Sequence, residues 1–420
     1  MANSTQPGTI SPGARLWRNR QFNILWFGQA LSVLGDAFAL IAIPLLVFEL
    51  TDSVFQMGLI TSVSGVSMLI MGLFAGVIAD RVDRRRLLIW CDIGRMLVFG
   101  AIPLGWWLLG PQLWLLYMVT IVGTALGMLF QVAYSTVIPN LVDRDQITDA
   151  NSRLQITFAL GTAIGPVLAG FFSNRYGPAA AVGVDAISFI ASAISIALIR
   201  VSSSGAAQTS RQADFSFEEL IAGIRFVLNE PVLRSVTVMF FLFTLIASGG
   251  YDLFIYYLKH DLGQSDSAVG IVFAVAALGG VLGGVLAPLL RRRLGFGACF
   301  IGGMCIECTA IALIGMAPTV PLIAGLAAGM AFANTVKLIN SMSLRQEITP
   351  DHLLGRVSSA FWILIRVPRP LGAAVSTALG ARIGTPAVLV LMGVLGLAVA
   401  LFGLLTPARI HSPKPQPAQT

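Results

Sequence analysis

Lysine is nearly missing from this 420-residue chain, which has only Lys259, Lys337 and Lys414. None follows a glycine, so there is no GxxxxGK[ST] loop to cradle a nucleotide phosphate, and a pump driven by ATP would need another subunit. Charge of either sign is scarce too: charged residues make up 11% of the chain and hydrophobic ones 56%, with a mean hydropathy of +0.82. Soluble domains carry about 25% charge, so a soluble enzyme or soluble binding module is excluded and most of the chain belongs in lipid. Cys91, Cys299, Cys305 and Cys308 lie in or beside apolar stretches without zinc-type spacing and read as small core residues. His260, His352 and His411 are far apart in loops or the tail. No metal site, cofactor fingerprint or catalytic triad stands out, which makes an enzyme the least favoured class.

The chain does have a succession of apolar runs. About 20 helical residues cross a hydrocarbon core of roughly 30 Å. Runs of that length are expected at 22–48, 54–79, 87–109, 112–138, 152–174, 179–200, 235–258, 267–290, 296–317, 319–343, 357–380 and 385–406. Barrel strands would be about 10 residues long and would alternate apolar with polar, so the fold class is all-α integral membrane with twelve transmembrane helices. Internal prolines such as Pro44, Pro166, Pro368 and Pro370 are tolerable in such helices.

With both termini on the cytoplasmic side, twenty of the 27 Lys and Arg fall inside, three outside (Arg175, Lys259, Arg382) and four within spans (Arg95, Lys337, Arg366, Arg369). The positive-inside rule then fixes the topology and accounts for the basic excess without nucleic acid. Arg15, Arg18 and Arg20 precede the first span with no cleavage site after a short apolar core, so a retained anchor is expected rather than a signal peptide.

Two halves repeat. Gly76, Val77 and Ala79 of GVIADRVDRRR fall on Gly284, Val285 and Ala287 of GVLAPLLRRRL at an offset of 208, and both stretches end in a basic cluster. LVDRDQITDANSR before the fifth span matches ITPDHLLGRVSSA before the eleventh at offset 207, as Arg175-Tyr-Gly177 matches Arg382-Ile-Gly384. The expected organisation is a cytoplasmic segment 1–21, a six-helix half 22–200, a linker 201–234, a second six-helix half 235–406 and a cytoplasmic tail 407–420. In the linker, FSFEELIAGIRFVLNE (215–230) sets Phe217, Leu220, Ile221, Ile224 and Leu228 on one helical face, which suits the inner membrane surface.

The stretch from Asp80 to Arg86 places six charges in seven residues. The pattern Gly76-x3-Asp80-Arg81-x2-Arg84-Arg85-Arg86 resembles the loop signature of the major facilitator superfamily, with Asp83 where that pattern has glycine. Gly161-x3-Gly165-Pro166-x3-Gly170 resembles the fifth-span motif of its exporters and drug/proton antiporters. IPNLVDRDQITDANSRLQ, TPDHLLGRV and VDAISF are similar to its branch of macrolide-efflux and enterobactin-exporter relatives. The resemblance implies that Asp80 meets the exposed NH groups at the start of the eleventh helix, near Gly355 to Ser358, in one conformation only. With Gly76, Arg81, Arg84 and Arg85 it would form a latch between the halves. The alternative is that these arginines only enforce topology. The resemblance also sets span five against span eight, where Gly279, Gly280, Gly283 and Gly284 offer small surfaces.

An ionisable side chain at mid-membrane costs roughly 2.5–3.5 kcal/mol on insertion scales, so each needs a reason. Asp36 shares a face of span one with Gln29 and Ser32. In the superfamily that span lines the central cavity, so Asp36 is a candidate for the coupling proton or for a cationic cargo, against a structural ion pair. Asn334, Lys337 and Ser341 make a polar stripe on span ten, and Arg366 and Arg369 sit deep in span eleven, where they either counter Asp36 or hold an anionic group of the cargo. Gln131, Tyr134 and Tyr251 are further cavity candidates. Glu307 is a candidate set against plain burial, Asp92 and Arg95 read as an ion pair, and Asp185 and Asp252 as partly hydrated groups near the outer ends.

The expected function is a secondary active efflux transporter, a proton antiporter that exports amphipathic small molecules of drug or macrolide type by alternating access. A siderophore exporter or a lysophospholipid transporter stays open, and in another class a non-transporting membrane sensor or scaffold. The expected partners are the small molecule, protons and the bilayer of the plasma membrane, with a monomer as the working unit.

Overall fold

The structure, a computed structural model, describes residues 16, 19–137, 141–142, 146–199, 217–350 and 353–410. It is helical almost throughout. The first half holds α1 (Arg20–Thr51), α2 (Val54–Arg81), α3 (Arg84–Leu109), α4 (Leu113–Val137), α5 (Ile147–Tyr176) and α6 (Pro178–Leu198). A short α7 (Phe217–Asn229) leads to α8 (Pro231–Ala247), α9 (Gly250–Tyr256, extended by a π turn at Tyr257–Asp261), α10 (Asp266–Ile314), α11 (Val320–Ile348), α12 (Leu354–Arg366), α13 (Arg369–Ile383) and α14 (Thr385–Phe402). In lipid every backbone NH and C=O must find a partner within the chain, and a helix supplies them locally.

Among the described residues, ten stretches are long and apolar enough to cross a membrane. One of them, α10, contains two crossings, because Gly295 (φ 80°, ψ 175°) interrupts it where a residue with a Cβ would be strained. The eleventh crossing is divided into α12 and α13, since Pro368 and Pro370 both lack the NH that would continue the ladder. Twelve crossings result. The repeat is visible in the backbone too: Gly177 (φ 85°, ψ 155°) and Gly384 (φ 88°, ψ 146°) make the same sharp turn between the last two crossings of each half.

Side chains next to the turns explain where helices start. The Asn19 carboxamide accepts from the Phe22 NH at 3.1 Å, and its NH2 donates to the Leu141 carbonyl at 2.8 Å. Asp83 accepts from the Arg86 NH at 2.9 Å, so the residue that departs from the superfamily pattern serves as the N-cap of α3. Arg85 reaches across to the Ile196 carbonyl at 3.1 Å and also bonds the Ala197 carbonyl, satisfying the free C-terminal end of α6. α7 lies against α12, with Gly223 beneath the Arg356 carbonyl and Val227 buried, while Ile221 and Leu228 stay exposed.

Within the first half α1 packs against α5 and α6, α4 against α2 and α3, and α3 against α6. The halves meet through α5 with α10 and α2 with α13, joined by contacts of α9 with α1 and α2. The end of the bundle bearing Gly177 and Gly384 is called distal here, and the opposite end, where α1 begins and α14 finishes, terminal. The halves are clasped distally. Phe48 and Tyr256 stack edge to face at 5.6 Å, the Tyr256 hydroxyl donates to the Asp52 carbonyl at 3.3 Å, and His260 stands 3.9 Å from the Asp52 carboxylate. At the terminal end α12 has α7 for its neighbour, and a Cβ at Gly76 or at Gly355 would meet nothing within 4 Å.

Candidate functional site

Among the described residues, two charged centres and one cationic patch lie at membrane depth. The first is built by α1, α3 and α6. Its middle is Arg95, 6% exposed, which bonds Asp92 one turn earlier on the same helix. The guanidinium lies between two rings, 4.4 Å from the centroid of Phe130 and 4.2 Å from that of Phe189. Asp36 and Asp185 both sit in the field of Arg95 and in each other's, and Asp92 is also repelled by Asp36. Three carboxyl groups therefore share one guanidinium.

The helices come close enough for this because α1 presents glycine to α6: a Cβ at Gly35 would stand 2.7 Å from the Asp185 carboxylate. Gln29 donates to Ser192 at 2.7 Å, and Ser188 donates to the Asp185 carbonyl at 2.7 Å and to its carboxylate at 3.3 Å. One carboxylate oxygen each of Asp92 and Asp185, and the Arg95 Nε, are buried without a hydrogen-bond partner. Asp36 is the exposed member, although it stands at the middle of a crossing helix.

The second centre joins α10 and α11. Lys337, 1% exposed, donates to Glu307 at 2.5 Å, and its ammonium lies 4.1 Å from the Phe243 ring centroid. Lys337 does not snorkel to the terminal surface, because a carboxylate and an aromatic face meet it in place. Asn334 is half-buried one turn before it.

The patch lies where α13 meets α2. A Cβ at Gly65 of α2 would stand 2.8 Å from the Pro370 ring. Immediately on the terminal side come Arg369, exposed, and Arg366, whose guanidinium stands 5.3 Å from the Trp362 ring centroid. Arg369 acts electrostatically on Asp252, which also has Thr61 of α2 as a hydrogen-bond neighbour. Sequence reasoning placed Asp185 and Asp252 in partly hydrated positions, but they are 0% and 1% exposed. The helices reach well past both residues, so closeness to an outer end does not bring water. Gln131 is exposed, Tyr134 stacks on Phe130 at 5.7 Å, and the Tyr134 and Tyr251 hydroxyls are buried without partners.

The fifth-span glycines divide their contacts. Gly161 and Gly165 face Val33 and Ala37 of α1 in their own half, and only the distal part of the motif crosses. A Cβ at Gly170 would stand 2.6 Å from the Asp266 carbonyl, and one at Gly270 would stand 2.7 Å from that of Pro166. Gly279 and Gly283 pack on α11, with α5 elsewhere. Of the latch residues, Arg85 holds α6, and the Asp80 side chain lies outside the described residues.

Twelve crossings in two repeated halves, with a charged centre buried in each, define a multi-pass membrane transporter fold. The chain belongs to the Major Facilitator Superfamily, whose family model matches residues 25–373 and 253–420. Among curated relatives it is 25% identical over 360 residues to the multidrug efflux pump Tap of Mycolicibacterium fortuitum, covering 83% of this chain and 86% of that one. It is 24% identical over 365 residues to the enterobactin exporter EntS of Escherichia coli O1:K1 / APEC, covering 86% and 85%. A bacterial homologue of the human lysosomal transporter Spinster superposes with a TM-score of 0.72 at 16% identity, over 93% of this chain and 96% of that one.

Proposed function

We propose that the chain is a secondary active exporter that moves an amphipathic small molecule out of the cytoplasm in exchange for protons. The observation that carries the proton exchange is the first centre. Three carboxyl groups set against one guanidinium at membrane depth are an excess of proton-binding groups over positive charge, and such groups mark proton paths in membrane proteins. Asp36, surface-accessible although crowded by protein on all sides, is the member placed to trade protons with water, and Arg95 is the charge it returns to when the proton leaves. The likeness to Tap and to EntS supports outward transport, and the name of EntS supports siderophore-type cargo as a second reading.

The charge asymmetry of the loops makes the terminal end cytoplasmic, with both termini inside and the plasma membrane as the site. The bundle, clasped distally, is then open to the cytoplasm, the state in which an exporter loads. Both walls of the passage come from one chain, so a monomer suffices.

Everted membrane vesicles test this. Adding macrolides, other lipophilic drugs or catecholate siderophores to wild type is expected to collapse the acid-interior gradient for a transported compound, and Asp36→Asn at equal protein level is expected to abolish the response. A full response from Asp36→Asn would remove the centre from the coupling mechanism.

A further inference from the structure

Two guanidiniums beside the meeting of α2 and α13, Arg366 and Arg369, have one carboxylate, Asp252, between them. Asp36, the acid that the sequence offered as their counter-charge, is matched with Arg95. Among the described residues, no ion pair includes Arg366 or Arg369. Arg369 has Asp252 within its field, whereas Arg366 has only the repulsion of Arg369 and the face of Trp362. A third guanidinium, Arg345 of α11, 3% exposed, stands 5.8 Å from the same indole and 3.8 Å from the Phe361 ring centroid, and among the described residues it bonds Ser341, at 3.1 Å. Trp362 itself is 40% exposed, and Arg369 is exposed. The patch is therefore cationic and aromatic, accessible at Arg369 and Trp362, and it lies on the terminal side of the Gly65–Pro370 contact between the halves.

Holding like charges together at membrane depth is costly unless an anion joins them, and guanidinium is the side chain best shaped to take a carboxylate or similar oxyanion by two parallel hydrogen bonds. The exposed indole adds a surface for an aromatic ring. We infer that Arg366, Arg369 and Trp362 form the binding site for the cargo, and that the cargo is an aromatic molecule with an anionic oxygen group. This rests on the exporter reading above and narrows it, since a lipophilic cation would be repelled here. Asp252 limits the patch: it occupies part of Arg369, which leaves Arg366 as the principal anion contact.

The test is equilibrium dialysis on purified full-length protein in nanodiscs, with empty nanodiscs as blank and three probes of one shape: naphthalene-2-carboxylate, naphthalene-2-carboxamide and 2-naphthylmethylammonium. The carboxylate is expected to bind about tenfold more tightly than the amide, with the ammonium weakest. That advantage is expected to vanish in Arg366→Gln/Arg369→Gln and to persist in part in Arg366→Lys/Arg369→Lys, which keeps the charge and guards against a folding defect. The inference is overturned if the amide or the ammonium binds as well as the carboxylate, if none of the three binds, or if the preference survives both glutamines. Binding needs neither transport nor protons. An arginine-dependent anion preference without vesicle efflux would sink the exporter reading and leave the site standing, and proton-coupled efflux without the preference would do the reverse.

Discussion

At the scale of the residue, the decisive feature is how each buried charge is matched. Lys337 and Glu307 form a closed pair, and removing one partner of a buried pair costs about 3–5 kcal/mol because the other charge is stranded. Lys337→Met and Glu307→Gln are each expected to lower the thermal unfolding temperature of the purified protein by several degrees. Lys337→Met/Glu307→Met, which removes both charges, should recover most of the loss; additive losses would mean the two side chains do not act as a pair. The sequence showed both residues as misplaced charges but not as partners, since they lie on different crossings and nothing in a single sequence gives their distance. Asn334, Lys337 and Ser341 looked like a cavity lining because a polar stripe reads the same whether it faces water or a carboxylate. Asp36 was conspicuous as a mid-span acid, whereas its relation to Arg95 and Asp185 depends on how α1, α3 and α6 pack. The same reasoning gives a prediction for Asp185. Its carboxyl is buried and shares Arg95 with Asp36, so Asp185→Asn is expected to alter the proton release of everted vesicles while cargo binding in nanodiscs stays near wild type. Unchanged proton release would confine Asp185 to packing.

At the scale of the element, the helices and their order were legible because length and apolarity alone decide what crosses a membrane. The repeat was legible as well, down to the matched turns at Gly177 and Gly384. What each glycine faces was not, and the difference is testable. A Cβ at Gly161 would stand 2.5 Å from a Val33 methyl, which can turn away, but one at Gly170 would meet the Asp266 carbonyl and the Gly270 Cα, which cannot. Overpacking costs about 1–3 kcal/mol, enough to move a two-state equilibrium by about fivefold to a hundredfold. Gly170→Ala is therefore expected to part the distal ends, seen as a longer distance between spin labels at Asp52 and Asp261, with Gly161→Ala close to wild type. Equal effects of the two substitutions would mean that the motif acts as a unit within one half.

At the scale of the whole molecule, the main contacts between the halves among the described residues lie toward the distal end, α5 with α10 and α2 with α13, so alternation requires these contacts to break while new ones form at the other end. A Cβ at Gly76 or at Gly355 would meet nothing within 4 Å, which leaves room beside the second and eleventh crossings for a contact made only when the terminal end closes. Asp80→Asn is accordingly expected to leave the distally clasped state intact and to deplete the opposite one, slowing efflux without weakening nanodisc binding. A direct test of alternation uses the distal contact of α2 with α13. A Cβ at Gly380 would stand 3.5 Å from a Val54 methyl carbon and 2.7 Å from a Leu253 methyl that must turn aside, which brings cysteines at the two positions within reach of a cross-link. Oxidation of Val54→Cys/Gly380→Cys is expected to stop efflux and a reductant to restore it, while cargo still binds from the terminal side, because the cross-link fixes the state that loads. Efflux persisting in protein shown by mass to be fully cross-linked would mean that the distal ends need not part, and the passage would then have to run along a path other than the seam between the halves.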